Sequence, residues 1–125
     1  MQLIDGKKIA QEIRRDLKEK IEKISGRKPG LAFVLIGENP ASQAYVKMKK
    51  KGCLEVGIHS ETLELPANIS QEALLQEIKR LNDDSTIDGI LIQQPFPKDI
   101  SIKAGDSSQL VLCRSRGKSL LHYLD

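Results

Sequence analysis

Seven consecutive residues, "LAFVLIG" from Leu31 to Gly37, carry no charged and no hydrogen-bonding side chain. A strand with one wet face alternates apolar and polar residues. An unbroken apolar run instead fits a strand covered on both faces, and sheets covered on both faces are built mainly from parallel strands. A second apolar run, Gly89 to Ile92 within "DGILIQQP", reads as another buried strand. Parallel strands need long crossover connections, and the segments around these runs read as helices. From Lys7 to about Ser25, Ile9, Ile13, Leu17, Ile21 and Ile24 recur at spacings of three and four. That periodicity predicts a helix with one apolar stripe and a charged opposite face. Gly26 and the following "RKPG" stop it.

Asn39 is placed to cap a second helix, with Pro40 at its first position and Gly57 closing it. "HSETLELP" alternates as a strand does, and Ser70 caps a third helix that turns Leu74, Leu75, Ile78 and Leu81 inward. Helix and strand thus follow one another three times. The expected fold class is α/β: a three-layer α/β/α domain with a mostly parallel sheet. In such sheets ligands gather beyond the carboxyl ends of the strands. Two segments stand there, "GENPAS" after the first strand and "QQPFP" after the third, and they are expected to converge on one cleft.

Charge and composition narrow the partners. The net charge of +3 arises from 20 basic and 17 acidic residues, a mixed surface rather than a cationic one. With aromatics at 3% and no Trp, there are few platforms for stacking bases, so no nucleic acid is expected. Cys53 and Cys113 fit no metal-ligand spacing; two reduced thiols and no metal are expected. "MQLIDGKKIA" resembles neither a signal peptide nor a transit peptide. No run reaches the roughly 18 apolar residues of a membrane span, so the expectation is no membrane and a cytoplasmic address.

The second helix carries four lysines close together: Lys47, Lys49, Lys50 and Lys51. Tyr45 and Lys49 are four apart and share a face, which continues through Gly52, Cys53 and Val56. Lys49 therefore lies on a stripe of small, apolar or aromatic residues, whereas Lys47, Lys50 and Lys51 read as a solvated face. Two readings of Lys49 stand open here. It either snorkels its ammonium into water from the margin of the core, or is desolvated enough to exchange protons near neutral pH. Gln93 and Gln94 end the third strand, and a carboxamide there can hydrogen-bond an amine without adding charge.

Taken together, "GENPAS", "YVKMK", "EVGI" and "TIDGILIQQPFP" occur in an order and spacing that resemble the bifunctional methylenetetrahydrofolate dehydrogenase/methenyltetrahydrofolate cyclohydrolase family, from about Met1 to Ile102. The resemblance implies an enzyme of one-carbon metabolism. It would oxidise 5,10-methylenetetrahydrofolate with NADP or NAD, then hydrolyse the 5,10-methenyl cation to 10-formyltetrahydrofolate. By that resemblance Lys49 is the catalytic lysine, Gln93 its hydrogen-bond partner and Tyr45 the aromatic that stacks on the folate ring. It likewise implies a substrate-binding set of Tyr45, Val46, Lys47, Met48, Lys49, Ile92, Gln93 and Gln94. Gln94 departs from the leucine usual in the family.

After about Lys103 the likeness changes. The family continues with an aspartate-bearing "KDVDG" and a Rossmann domain; this chain reads "AGDSSQLVLCRSRGKSLLHYLD". The expected division is residues 1–103 as a folate-binding catalytic domain and 104–125 as a divergent tail. A frameshift or alternative splice, an internal deletion and a new C-terminal element all remain open as its origin, and "RSRGK" reads as a basic surface turn. With no complete G-x-G-x-x-G turn, the nicotinamide cofactor of full-length members is not expected on this chain alone, which puts the dehydrogenase step in doubt. The alternative is a non-catalytic truncated domain, a binding or self-assembling module pairing as a homodimer through an exposed sheet edge.

Overall fold

The apolar run becomes β1 (Gly30–Ile36), an interior strand with a partner on each side. The computed structural model describes residues 3–100 and 109–113. Besides β1 it contains α1 (Gly6–Glu22), α2 (Pro40–Val56), β2 (His59–Leu65), α3 (Gln71–Asp83), β3 (Gly89–Gln93) and β4 (Gln109–Cys113). The sheet runs β2-β1-β3-β4; the first three strands are parallel, and β4 is antiparallel to β3. β1 to β2 steps one way across the sheet, and β2 to β3 steps back past β1. Right-handed crossovers in opposite directions put their helices on opposite faces, so α2 covers one face and α3 the other.

The two cores follow from strand alternation. Ala32, Val34 and Ile36 of β1 and Ile90 and Ile92 of β3 pack with Leu74, Ile78 and Leu81 of α3. Phe33 and Leu35 point the other way, against Val46 and Cys53 of α2. No residue from Ala32 to Ile36 exceeds 5% exposure, which is why none is polar. Leu75, expected inward, is half-buried at the edge of its helix.

The helix caps follow the sequence. Asn39 Oδ1 accepts from Ser42 N at 3.1 Å, Ser70 Oγ accepts from Ala73 N at 3.1 Å, and Gly57 ends α2 at φ 86°. The apolar stripe of α1 is only partly covered: Ile21 is buried, but Ile9, Ile13, Leu17 and Ile24 are 38–60% exposed. α1 lies along α2 rather than across the sheet, so only its C-terminal end reaches the core. That end is held by Lys28 Nζ, which donates to the carbonyls of Ile21 and Ile24 at 2.9 Å each. β4 is a departure, since no element was expected in "QLVLC". The rest of the tail, "RSRGK" included, lies outside the described residues.

The entrance to β1 is clamped. Arg27 makes two 2.8 Å bonds to the Asp88 carboxylate, whose Oδ2 also accepts from Gly30 N at 2.9 Å. Gly30 is closed in so tightly that an added Cβ would overlap the Thr86 carbonyl oxygen, whereas Gly52, inside α2, has nothing within 4 Å. Two glycine-to-alanine changes should therefore act in opposite directions. Gly30→Ala is expected to destabilise the chain by about 1–3 kcal/mol through overpacking. Gly52→Ala should stabilise it by about 0.5–1 kcal/mol, because alanine loses less conformational freedom in a helix. Urea unfolding followed by circular dichroism measures both.

Candidate functional site

β1 and β3 pair in register, with Leu35 beside Gln93, so the two strands end together. Gly37, at φ 79°, turns the chain out of the sheet and into the Asn39 cap of α2. The first turn of α2 thereby stands over the end of β3, and the expected convergence of "GENPAS" and "QQPFP" is a direct contact. Ser42 Oγ donates to the Gln94 carbonyl oxygen at 3.0 Å. The Gln94–Pro95 peptide is cis.

Two turns further along α2, Lys49 Nζ donates to Gln93 Oε1 at 2.7 Å. Gln93 is 5% exposed, and its Nε2 donates to the Gln94 carbonyl at 3.1 Å. Burial lowers the Lys49 pKa from its ordinary value. The carboxamide oxygen acts in the opposite sense, because it bonds the ammonium more strongly than the neutral amine. The outcome is a lysine drawn toward proton exchange by burial and held by its bond to Gln93. Lys47, Lys50 and Lys51 are exposed, the solvated face that spacing suggested.

The pair stands between two clefts. One, of about 340 Å³, is lined by Asn39, Ser42, Tyr45, Gln93, Gln94 and Pro95. The other, of about 320 Å³, is an apolar groove between α1 and α2, floored by Leu31, Phe33 and Leu91 and bordered by Lys49 and Arg14. A larger cleft of about 450 Å³ crosses the ends of β1 and β2; it is lined by Glu38, Gln43 and Glu64 and includes neither Lys49 nor Gln93. The arrangement suits proton transfer on a ligand that has a flat apolar body: an amine at the rim, a neutral acceptor behind it and an exposed aromatic ring, Tyr45, beside it.

The remaining residues of the expected set divide. Met48 is exposed, and Val46 is buried against Phe33 and Leu35. The Ile92 side chain is fully buried on the α3 side of the sheet, so it can offer the cleft only its backbone. Ser42 was not singled out by sequence, although it lies three before Tyr45 and seven before Lys49, a spacing that shares a helical face. Among the described residues, no group of three or more His, Cys, Asp or Glu could hold a metal, and no helix is long and apolar enough to cross a membrane. A nicotinamide dinucleotide does not fit the turn after β1. That turn has one glycine, Gly37, followed by the acidic Glu38 and by Pro40, which lacks an N–H.

Comparison with known proteins gives a consistent result. The tetrahydrofolate dehydrogenase/cyclohydrolase catalytic-domain family matches residues 4–108. The bifunctional protein FolD of Bacillus mycoides is 54% identical over 104 residues, covering 82% of this chain and 36% of that protein. FolD of Chlorobium phaeobacteroides is 48% identical over 103 residues, covering 80% and 35%. Among solved structures, the bifunctional FolD enzyme of Campylobacter jejuni superposes with a TM-score of 0.78 at 47% identity, covering 81% of this chain and 36% of that one. The Trypanosoma brucei dehydrogenase-cyclohydrolase, complexed with NADP and an inhibitor, gives 0.74 at 37% identity, covering 79% and 35%. The chain spans about a third of the length of the curated relatives it matches.

In ¹³Cε-lysine NMR, the Lys49 midpoint should lie below the ordinary lysine value because of burial, and Gln93→Leu should lower it further by removing the acceptor that favours the ammonium. A Lys49 midpoint at the ordinary lysine value would contradict the assigned environment.

Proposed function

The chain belongs to the tetrahydrofolate dehydrogenase/cyclohydrolase family through its catalytic domain, and from that premise we propose that it binds a reduced folate and opens the ring of 5,10-methenyltetrahydrofolate to give 10-formyltetrahydrofolate. The observation that carries the reading is the 2.7 Å bond between Lys49 and the buried Gln93. Attack on a cationic carbon needs a base, and an ammonium beside that cation would be repelled. Burial lowers the Lys49 pKa and so favours the neutral amine.

In this reading neutral Lys49 takes a proton from water as the water oxygen bonds to the methenyl carbon. The hydroxyl of the resulting adduct loses its proton to solvent as the carbonyl forms. The bond from carbon to the ring nitrogen breaks, and Lys49 returns its proton to that nitrogen. One water is consumed and one proton released. Gln93 holds the amine toward the reacting carbon, and Tyr45 offers the face on which the flat ring system stacks.

The hydride step belongs to the proposal only for longer family members, which would hold NADP or NAD in a part this chain does not match. No step here runs through that cofactor. Residues 1–103 form the folate-binding unit of the proposal and 104–125 its divergent tail; the cytoplasm is its compartment. A second reading, a self-assembling or binding module, is favoured by the exposed Ile9, Ile13 and Leu17 of α1. Size-exclusion chromatography with and without a folate analogue distinguishes it, since self-association without folate binding supports the module.

The decisive measurement is the loss of methenyltetrahydrofolate absorbance with purified chain. Lys49→Ala should lower kcat at least 100-fold, in keeping with the usual contribution of a positioned general base. In the unsubstituted chain the rate should rise with pH through the Lys49 midpoint as the amine loses its proton. Equal rates for the unsubstituted chain and Lys49→Ala would remove Lys49 from the chemistry.

A further inference from the structure

The Gln93 carboxamide has two unlike ends on one flat group, and only one orientation serves a lysine. With Oε1 toward Lys49 the amine finds an acceptor; with Nε2 there, donors would face donors. At 5% exposure Gln93 has little water to correct a wrong turn. On the other side of the carboxamide stands the Gln94 carbonyl oxygen. It can only accept, and it accepts from Gln93 Nε2 at 3.1 Å.

That carbonyl has a second donor. Ser42 Oγ reaches it at 3.0 Å, from a side chain that is 4% exposed. Ser42 is itself placed by the Asn39 cap, whose Oδ1 accepts from Ser42 N at 3.1 Å. The bonds close a ring between one helix and one strand end. From Ser42 the ring passes to the Gln94 carbonyl, through the Gln93 carboxamide to Lys49, and back along α2 to Ser42. A carbonyl oxygen with two lone pairs can serve both donors, and each donor limits where the oxygen can go.

We propose that Ser42 is a positioning residue for the Lys49–Gln93 pair: its buried hydroxyl fixes the Gln94 carbonyl against which the Gln93 carboxamide is oriented, so that an acceptor faces the amine. This rests on the ring-opening reading for its consequence in turnover, but the orientation itself is a property of the ligand-free chain. A plain structural role is the competing account, in which Ser42 only clasps α2 to the loop after β3.

The test uses the full 125-residue chain, Ser42→Ala and Ser42→Thr, with two independent readouts. The first is the side-chain amide signal of Gln93 in ¹⁵N NMR without ligand. Ser42→Ala should shift or broaden it at a pH and temperature where circular dichroism shows the chain folded, and Ser42→Thr, which keeps the hydroxyl, should restore it. The second is methenyltetrahydrofolate hydrolysis, in which Ser42→Ala should lower kcat about 5- to 10-fold, the loss expected for one hydrogen bond. KM should change little, and Ser42→Thr should recover most of the rate. Should Ser42→Ala fail to fold, Ser42→Cys, close in volume with a weak donor, supplies the same comparison. An unchanged Gln93 signal in folded Ser42→Ala, with only the unfolding midpoint lowered, would overturn the proposal in favour of the clasp. If the unsubstituted chain proves inactive while the Gln93 signal still responds to Ser42, the ring-opening reading fails and the positioning role stands.

Discussion

β1 shares its backbone hydrogen bonds with β2 on one edge and β3 on the other, and its register decides where every functional group stands. Leu35 lies beside both Glu64 and Gln93, so the three parallel strands end nearly level. Because the chain leaves β1 toward one face and reaches β3 from the other, the helix that follows β1 and the loop that follows β3 meet over the same spot. A one-residue slip in the β1–β3 pairing would send the Gln93 side chain to the α3 side and leave Lys49 facing a hydrocarbon wall. The apolar core under α3 is thus what prevents such a slip. Ile90 and Ile92 are fully buried there, and trading places with Leu91 and Gln93 would put a glutamine side chain into that apolar core.

The choice of a glutamine opposite the lysine follows from electrostatics. A carboxylate in its place would hold Lys49 as a permanent ammonium, and removing either partner of such a buried ion pair would leave an uncompensated charge. A carboxamide supplies the same reach and one acceptor with no net charge. It needs something to settle which of its two ends faces the amine, and the surroundings must provide that. The backbone carbonyl of Gln94 is the group we propose for this, because unlike a side-chain amide it has a single chemical sense.

Much of this was legible before any coordinates. "LAFVLIG" announced a doubly covered strand, Asn39, Ser70 and Gly57 marked helix ends, and the four-residue spacing of Tyr45 and Lys49 placed both on one face. What stayed hidden was hidden for physical reasons. Helical periodicity shows that one side of α1 is apolar but not whether anything covers it. The burial of Ser42 depends on a contact across 52 positions in the chain, which no local pattern encodes. β4 lies in "QLVLC", a stretch short enough that its apolar character suits a strand, a helix segment or a loop equally well.

The placement of α1 has a consequence for how the molecule breathes. A helix that buries one residue fully and is fastened at its final turn by a lysine side chain has little to lose by detaching. The sheet, by contrast, cannot open without exposing both cores at once. Amide protons in the N-terminal turns of α1 are therefore expected to exchange with solvent through a local opening of low free energy, and those of β1 only on global unfolding. One wall of the groove bordered by Lys49 and Arg14 is α1, so a local opening of that helix would change the width of the groove.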